Sequence, residues 1–282
     1  MSKASLIISV YNKIRNLELI LAALSIQTLK DFEIIISDDG SGSEMKDFIT
    51  GRMNRGDLNI KHVWQEDDGF RKNKILNECI RNSESDYLIF IDGDCIPHSE
   101  FIEAHFKNRN DNTALFGRRV YLGKELSDLL TVEKILNKSY QKLNFKLIKE
   151  SLLHKPEGSY NAEEGIIIKN KIMRKLLIKS DVGILGSNFS LPKELLIAIN
   201  GFDENFIGPG YGEDTDVERR LRLYGAEIRS IRNLSVQYHI YHNKTIEAEA
   251  NKLYYDKVKL ETDYFCGNGL IKNTGNKLIN KI

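Results

Sequence analysis

Over the first hundred residues, short apolar runs alternate with apolar positions at helical spacing. Leu6-Ile7-Ile8-Ser9-Val10-Tyr11 is too short for a helix and rich in β-branched residues, which predicts a buried strand. Leu17, Ile20, Leu21 and Leu24 repeat at helical intervals and predict a helix from Leu17 to Ile26. The alternation continues with a strand at Phe32–Ser37, a helix from about Glu44 to Arg52, and a strand at Ile60–Trp64. A helix near Lys72–Arg81 and a strand at Tyr87–Ile91 complete it. Strand–helix repeats of this kind predict an α/β fold, a mostly parallel central sheet with helices on both faces.

Ligands of such sheets lie beyond the carboxyl ends of the strands, and acids collect there. Asp38-Asp39 follow the second strand, Asp67-Asp68 the third, and Asp92 and Asp94 flank Gly93 after the fourth. Any one Asp/Gly pair is an ordinary turn. Three pairs on one rim repel each other unless a cation or donor groups answer them.

The second half differs in character. Thr131–Lys179 holds eleven Lys and Arg against five Asp and Glu, net +6, with Lys134, Lys138, Lys142, Lys146 and Lys149 at helical spacings. A solvated helix face accounts for this, and a sharper version has it facing an acidic acceptor or anionic lipid. Further on, Phe189–Leu191 predicts a short strand and Lys193–Ile199 a helix stopped by Asn200-Gly201. Phe202–Gly212, with Gly208, Pro209, Gly210 and Gly212, predicts a loop. Glu213-Asp214 open a helix that Gly225 ends, and a carboxylate in its first turn suits the helix dipole. Val236–His242 alternates like a strand, which puts His239 and His242 on opposite faces, so that only one points into a site. Cys266–Ile282, Gly/Asn-rich with three lysines and no acids, predicts a mobile tail.

Composition removes several classes. The 282 residues suffice for one large α/β domain or two small ones, and 41% apolar with 29% charged residues is a globular balance, not a disordered one. A formal charge of +1 gives no field for nucleic acid. No run approaches the ~18 apolar residues of a membrane span, and the start lacks a secretory cleavage site. Cys79, Cys95 and Cys266 are odd in number and far apart, which fits free thiols in a reducing compartment. A cytoplasmic enzyme is the expectation.

Four segments between about residues 4 and 242 carry a resemblance: SLIISVYNK…SIQTLKDFEIIISDDGS, QEDDGFRKNKILN, the DGD of Asp92–Asp94, and GSNFSLPKELLIAINGFDENFIGPGYGEDTDVERRL. Each is only moderately specific. In this order and spacing the chain resembles family 2 inverting glycosyltransferases of the GT-A fold that end in a galactosyltransferase-type segment, similar to the catalytic modules of bacterial capsule and chondroitin polymerases. The resemblance implies one Rossmann-like GT-A domain over 1–265, with a nucleotide-sugar half at 1–108 and a smaller acceptor half at 109–265. Residues 266–282 remain as the tail.

Site roles follow by resemblance. Tyr11, Asp39, Asp68, Arg71, Lys74, Asp92 and Gly93 would meet the donor nucleotide, with Arg71 and Lys74 on its diphosphate. Asp94 would ligate a divalent cation together with His239, the favoured histidine, or His242, the runner-up. Asn188 and Tyr211 would line the sugar and acceptor pocket. Asp214 would be the catalytic base, and Glu213 would hold the acceptor. Cleavage of a sugar–diphosphate bond builds charge on the leaving group, which a cation on hard oxygen ligands stabilises; an added imidazole tilts the choice from Mg²⁺ to Mn²⁺. The implied partners are a UDP-sugar and a saccharide or glycolipid acceptor, with a peripheral contact at the inner membrane face. Oligomeric state is left open. Tyr211 stands where many relatives carry Trp, and Arg118–Leu185 falls outside the resemblance. Two other classes compete with this reading: an inactive sugar- or nucleotide-binding module on the same scaffold, and a nucleotidyltransferase. The first need not keep Asp39, Asp94, Glu213 and Asp214 together. The second usually has a Gly-rich loop where Tyr11-Asn12-Lys13 stands.

Overall fold

The apolar runs become the central strands because both of their faces are covered. A computed structural model describes residues 2–142, 145–153, 157–177, 183–243 and 248–272. In it β1 (Ser5–Val10), β2 (Glu33–Asp38), β3 (Ile60–Trp64) and β4 (Tyr87–Asp92) fall within a residue of their expected places. Between them run α1 (Ile14–Ser25), α2 (Ser43–Arg55) and α3 (Lys72–Asn82). There follow β5 (Cys95–Pro97), α4 (Phe101–Asn108), β6 (Thr113–Phe116), β7 (Val120–Tyr121), α5 (Lys124–Asp128), α6 (Val132–Leu136), α7 (Phe145–Leu153) and α8 (Lys171–Leu177). The chain continues through β8 (Phe189–Pro192), α9 (Lys193–Ala198), α10 (Glu213–Tyr224), β9 (Glu227–Ser230), β10 (Gln237–His239) and α11 (Glu249–Val258).

The large sheet has the order β3-β2-β1-β4-β8-β6-β9, with β8 antiparallel to both neighbours and every other pairing parallel. Ile7 sits between Ile35 and Phe90 in the register. Strand alternation splits the core into two layers. Leu6, Ile8 and Val10 pack with Leu17, Ile20, Met45 and Phe101 on one face. Ile7, Ile35 and Phe90 pack with Leu76, Ile80, Val217 and Leu221 on the other. Each such side chain, fully buried, contributes roughly 1.5–3 kcal/mol.

Two features position the site. The strand order reverses at β1, with β2 on one side and β4 on the other, and this switch point opens a crevice at the carboxyl ends. Directly after the DGD turn, β5 joins a second sheet of order β5-β10-β7, in which His239 pairs with Cys95. That pairing carries the end of β10 to the last acid of the turn.

Residues 266–272, expected as the start of a mobile tail, pack instead. Cys266 is buried, and the Asn200 amide donates to the Cys266 and Ile271 carbonyls at 2.6 and 2.8 Å. The rest of the expected tail, 273–282, lies outside the described residues. The three cysteines are free and buried. The lysine run after Thr131 is broken between α6 and α7, where Lys138 takes a left-handed φ of 63°. No helix among the described residues is long and apolar enough to cross a membrane.

Candidate functional site

The crevice is an open cleft of about 1030 Å³. Asp38 at the end of β2 is buried and turned inward, accepting from the Ser41 amide at 2.9 Å and facing His62 at 2.9 Å. Asp39 faces the cleft, accepting from the Arg71 amide at 2.8 Å and Gln65 at 2.5 Å. Burial pushes its carboxyl up from the ordinary range, against the pull of those two bonds. Gly40 between this turn and Asp67 has φ 94°, and a Cβ there would stand 2.6 Å from the Asp67 Cα. The close approach sets the Asp67 carboxylate at the cleft wall, where the Tyr11 hydroxyl donates to it at 2.9 Å.

Within QEDDGFRKNKILN the cleft wall takes other residues than those expected. Asp67 lines the cleft, and Asp68 points to solvent with an ion pair of 3.5 Å to Arg71. Arg71 lies outside the cleft wall; its guanidinium folds back onto the Phe70 carbonyl at 3.1 Å, and its contribution near the site is its backbone amide. Lys74, two residues into α3, is exposed and also outside the wall. The cation of this segment that enters is Lys72, which the sequence marks only as the start of a helix. Its Nζ stands 3.0 Å from Asp92 and 3.0 Å from Glu213, joining the end of β4 to the start of α10. Burial disfavours its charge, but the two carboxylates outweigh that and hold it firmly protonated. Arg71, Lys72 and Lys74 are equivalent cations in a sequence, and only the angle at which α3 enters separates them.

The DGD turn needs its glycine. The Gly93 amide donates to the Ser9 carbonyl at 2.7 Å, and a Cβ at Gly93 would stand 2.6 Å from that oxygen. Asp92 and Asp94 both reach the cleft from this turn. Asp92 also lies 3.8 Å from Arg119, a second unforeseen residue, which sits over the Tyr121 ring and donates to Ser187 at 3.1 Å. It belongs to the stretch outside the resemblance, so no motif marked it.

Both histidines meet Asp94, contrary to the expectation of opposite faces. The Asp94 Oδ2 is 3.4 Å from His239 Nε2 and 3.2 Å from His242 Nε2. Alternation fails because β10 ends at His239. The Ile240 amide then donates to the Asp94 carbonyl and the Tyr241 amide to Ser127 Oγ, both at 2.8 Å, which holds the segment leading to His242 beside Asp94. One ligand atom from each of the three side chains lies within 4.8 Å of the others. Burial works against the Asp94 charge, but hydrogen bonds from both histidines hold its carboxyl well below the usual range. His242 is raised, chiefly by Asp94. Its Nδ1 donates to the Asn243 carbonyl at 2.7 Å, so in the neutral ring Nε2 is a bare lone pair aimed at a carboxylate. Two acceptors face each other at that point, and a positive charge between them resolves the conflict. A proton can do so, and a divalent cation fits the same donor set.

The start of α10, opened by Gly212 at φ 86°, lines the same cleft. Buried Arg220, 2.7 Å from Asp216 and donating to the Ile199 and Gly201 carbonyls, pins the helix. In its first turn Glu213 Oε2 is buried without a partner among the described residues, while Oε1 holds Lys72. Burial raises the Glu213 carboxyl, with Lys72 opposing. Asp214 accepts from the Gly186 amide at 2.9 Å and the Thr215 amide at 2.8 Å and opens onto the same cleft as Asp94. Tyr211 lines the cleft and meets Tyr255 edge-on at 5.8 Å. Asn188 does not. It is fully buried, bonded to His105, the Arg118 and Ser235 carbonyls and Ser235 Oγ, while Gly186 and Ser187 beside it form the wall. Asn188, expected at a sugar pocket, is thus set behind the wall, where its amide joins the segment before β7 to the segment before β10.

A sequence model described as glycosyl transferase family 2 matches residues 5–160, and one described as the N-terminal domain of galactosyltransferase matches 173–243. Chondroitin synthase of Escherichia coli is 27% identical over 241 residues, which is 83% of this chain and 34% of that protein. Hyaluronan synthase of Pasteurella multocida is 27% identical over 233 residues, 80% of this chain and 23% of that protein. The chain thus spans about a third or less of the length of these relatives. Among solved structures, GalNAc-T7 with UDP, GalNAc and Mn²⁺ aligns with a TM-score of 0.63 over 92% of this chain and 47% of that chain, at 12% identity. That likeness shows the fold, which is GT-A.

Proposed function

The chain belongs to glycosyl transferase family 2, and from that membership and the cleft we propose that it transfers a sugar, with inversion, from a UDP-sugar to a saccharide or lipid-linked saccharide. One observation carries the reading: Asp94, His239 and His242 converge in the same cleft as Glu213 and Asp214. The UDP donor is supported by the GT-A neighbour solved with UDP and by Asp39, fixed at the end of β2. The acceptor class is supported by the polysaccharide synthases among the relatives. In this reading residues 1–108 take the nucleotide sugar and 109–265 the acceptor.

Asp94, His239 and His242 would hold a divalent cation, and two imidazoles beside one carboxylate favour Mn²⁺ over Mg²⁺. Bound there, it would offset the negative charge that grows on the departing diphosphate. The chain's own residues do the rest. Asp214, held by two backbone amides, takes the proton from the attacking hydroxyl. Glu213 offers its unpartnered Oε2 to an acceptor hydroxyl. Lys72 opposes the rise that burial imposes on that carboxyl and holds it beside Asp92. A single base with in-line attack inverts the anomeric centre.

Thermal unfolding with UDP-sugars, in Mn²⁺ and in EDTA, tests the proposal. A ligand at about 100 times its Kd stabilises by about 2.7 kcal/mol, several degrees in Tm. UDP or a UDP-sugar should raise Tm in Mn²⁺ and much less in EDTA. Equal shifts with GDP, or none with any uridine nucleotide, would overturn it.

A further inference from the structure

Large hydrophobic side chains more than 70% exposed are rare among the described residues, and four of the five lie on two helices: Phe145 and Leu152 on α7, Ile172 and Leu176 on α8. On α7 the buried side is Leu147 and Glu150, the latter fixed by the Ser159 amide and hydroxyl. Phe145 and Ile148, a turn apart, face outward. On α8, Ile172, Met173 and Leu176 follow helical spacing and are all exposed. Interleaved with them, Lys149, Lys171 and Lys175 are exposed and form no ion pair among the described residues. Lys146, by contrast, is committed to Glu125. These helices lie within the Thr131–Lys179 stretch of net +6.

Charge and apolar surface together select the occupant. A second copy would bring the same positive charge against this one. A soluble polyanion would answer the lysines and leave the aliphatic and aromatic groups in water. A bilayer with anionic headgroups answers both, since lysines reach into the headgroup layer while their stems and the apolar side chains enter the acyl boundary. We propose that α7 and α8 dock this chain onto an anionic membrane surface without crossing it. Under the proposed function this would bring the cleft to lipid-linked acceptors, but docking itself does not depend on that reading.

Co-sedimentation with vesicles tests the docking and uses no sugar nucleotide, so it stands or falls apart from the thermal-shift assay. The chain should bind vesicles of phosphatidylcholine with about one-third phosphatidylglycerol, fail to bind phosphatidylcholine alone, and dissociate at high salt. K149Q/K175Q should weaken binding about 25-fold, at about fivefold per lysine. F145S/L176S should weaken it about tenfold or more. All four side chains are exposed, so Tm should hold within about 2 °C in both variants. No binding to anionic vesicles, or binding unchanged in both variants, overturns the proposal. So does concentration-dependent self-association that F145S/L176S abolishes while vesicle binding is absent, which would give the face to a second copy.

Discussion

Replacing Lys72 by Met removes the one cation that Asp92 and Glu213 share among the described residues and leaves its methylene stem in place. Two carboxylate oxygens, each 3.0 Å from the same nitrogen, stand no more than about 6 Å apart. At an effective permittivity of 20, their mutual repulsion is then about 3 kcal/mol or more when both are ionised. The three side chains are 14–28% exposed, so solvent screening lowers this to about 2 kcal/mol. The penalty depends on pH. Glu213 already sits above the ordinary carboxyl range because of burial, and losing Lys72 raises it further. The folded variant therefore holds a proton that the unfolded chain has released, and its stability falls as pH rises from about 5 to 8. Thermal unfolding in EDTA should show K72M within about a degree of the parent at pH 5 and roughly 3–4 °C below it at pH 8. K72M/E213Q, with one of the repelling charges gone, should recover most of the loss at pH 8. An equal deficit at both pH values, or no recovery in the double variant, would refute the electrostatic account and leave Lys72 as packing alone.

Both histidines should matter for the cation. By calorimetry with UDP present, His239→Ala and His242→Ala should each weaken Mn²⁺ binding by tenfold or more, and loss in one variant only would break the three-residue site. Asp214→Asn should lower turnover by ~10² or more with UDP affinity nearly intact, and a fully active variant would remove it as the base. Asn188→Ala should cost about 2–4 kcal/mol by leaving buried partners unpaired, while UDP affinity in the folded protein stays the same. A selective fall in UDP affinity at unchanged Tm would return Asn188 to the donor pocket.

Whatever depends on one element's own periodicity was legible from the chain alone. β3 falls at Ile60–Trp64, as its apolar run predicts, and α3 begins at Lys72, as its spacing predicts. Direction is another matter. Nothing local distinguishes Lys72 from Lys74, or Asp67 from Asp68, because a single step along a helix or turn moves a side chain from cleft to solvent. The same step separates Ser187 in the wall from Asn188 behind it. The histidines failed for a different reason. Alternation was extended to His242, but a strand lasts only while partners flank it, and β10 ends where its pairings with β5 and β7 end, at His239 opposite Cys95 and Tyr121. Past that point the Ile240 amide bonds the Asp94 carbonyl and keeps the chain beside that residue. The meeting of Asp94 with both histidines is thus a consequence of sheet topology: the DGD turn must be followed at once by β5, so that β10, returning some 140 residues later, finds an edge beside Asp94. A motif search sees the acid and the two histidines as separate events. Only the pairing of Cys95 with His239 makes them one site.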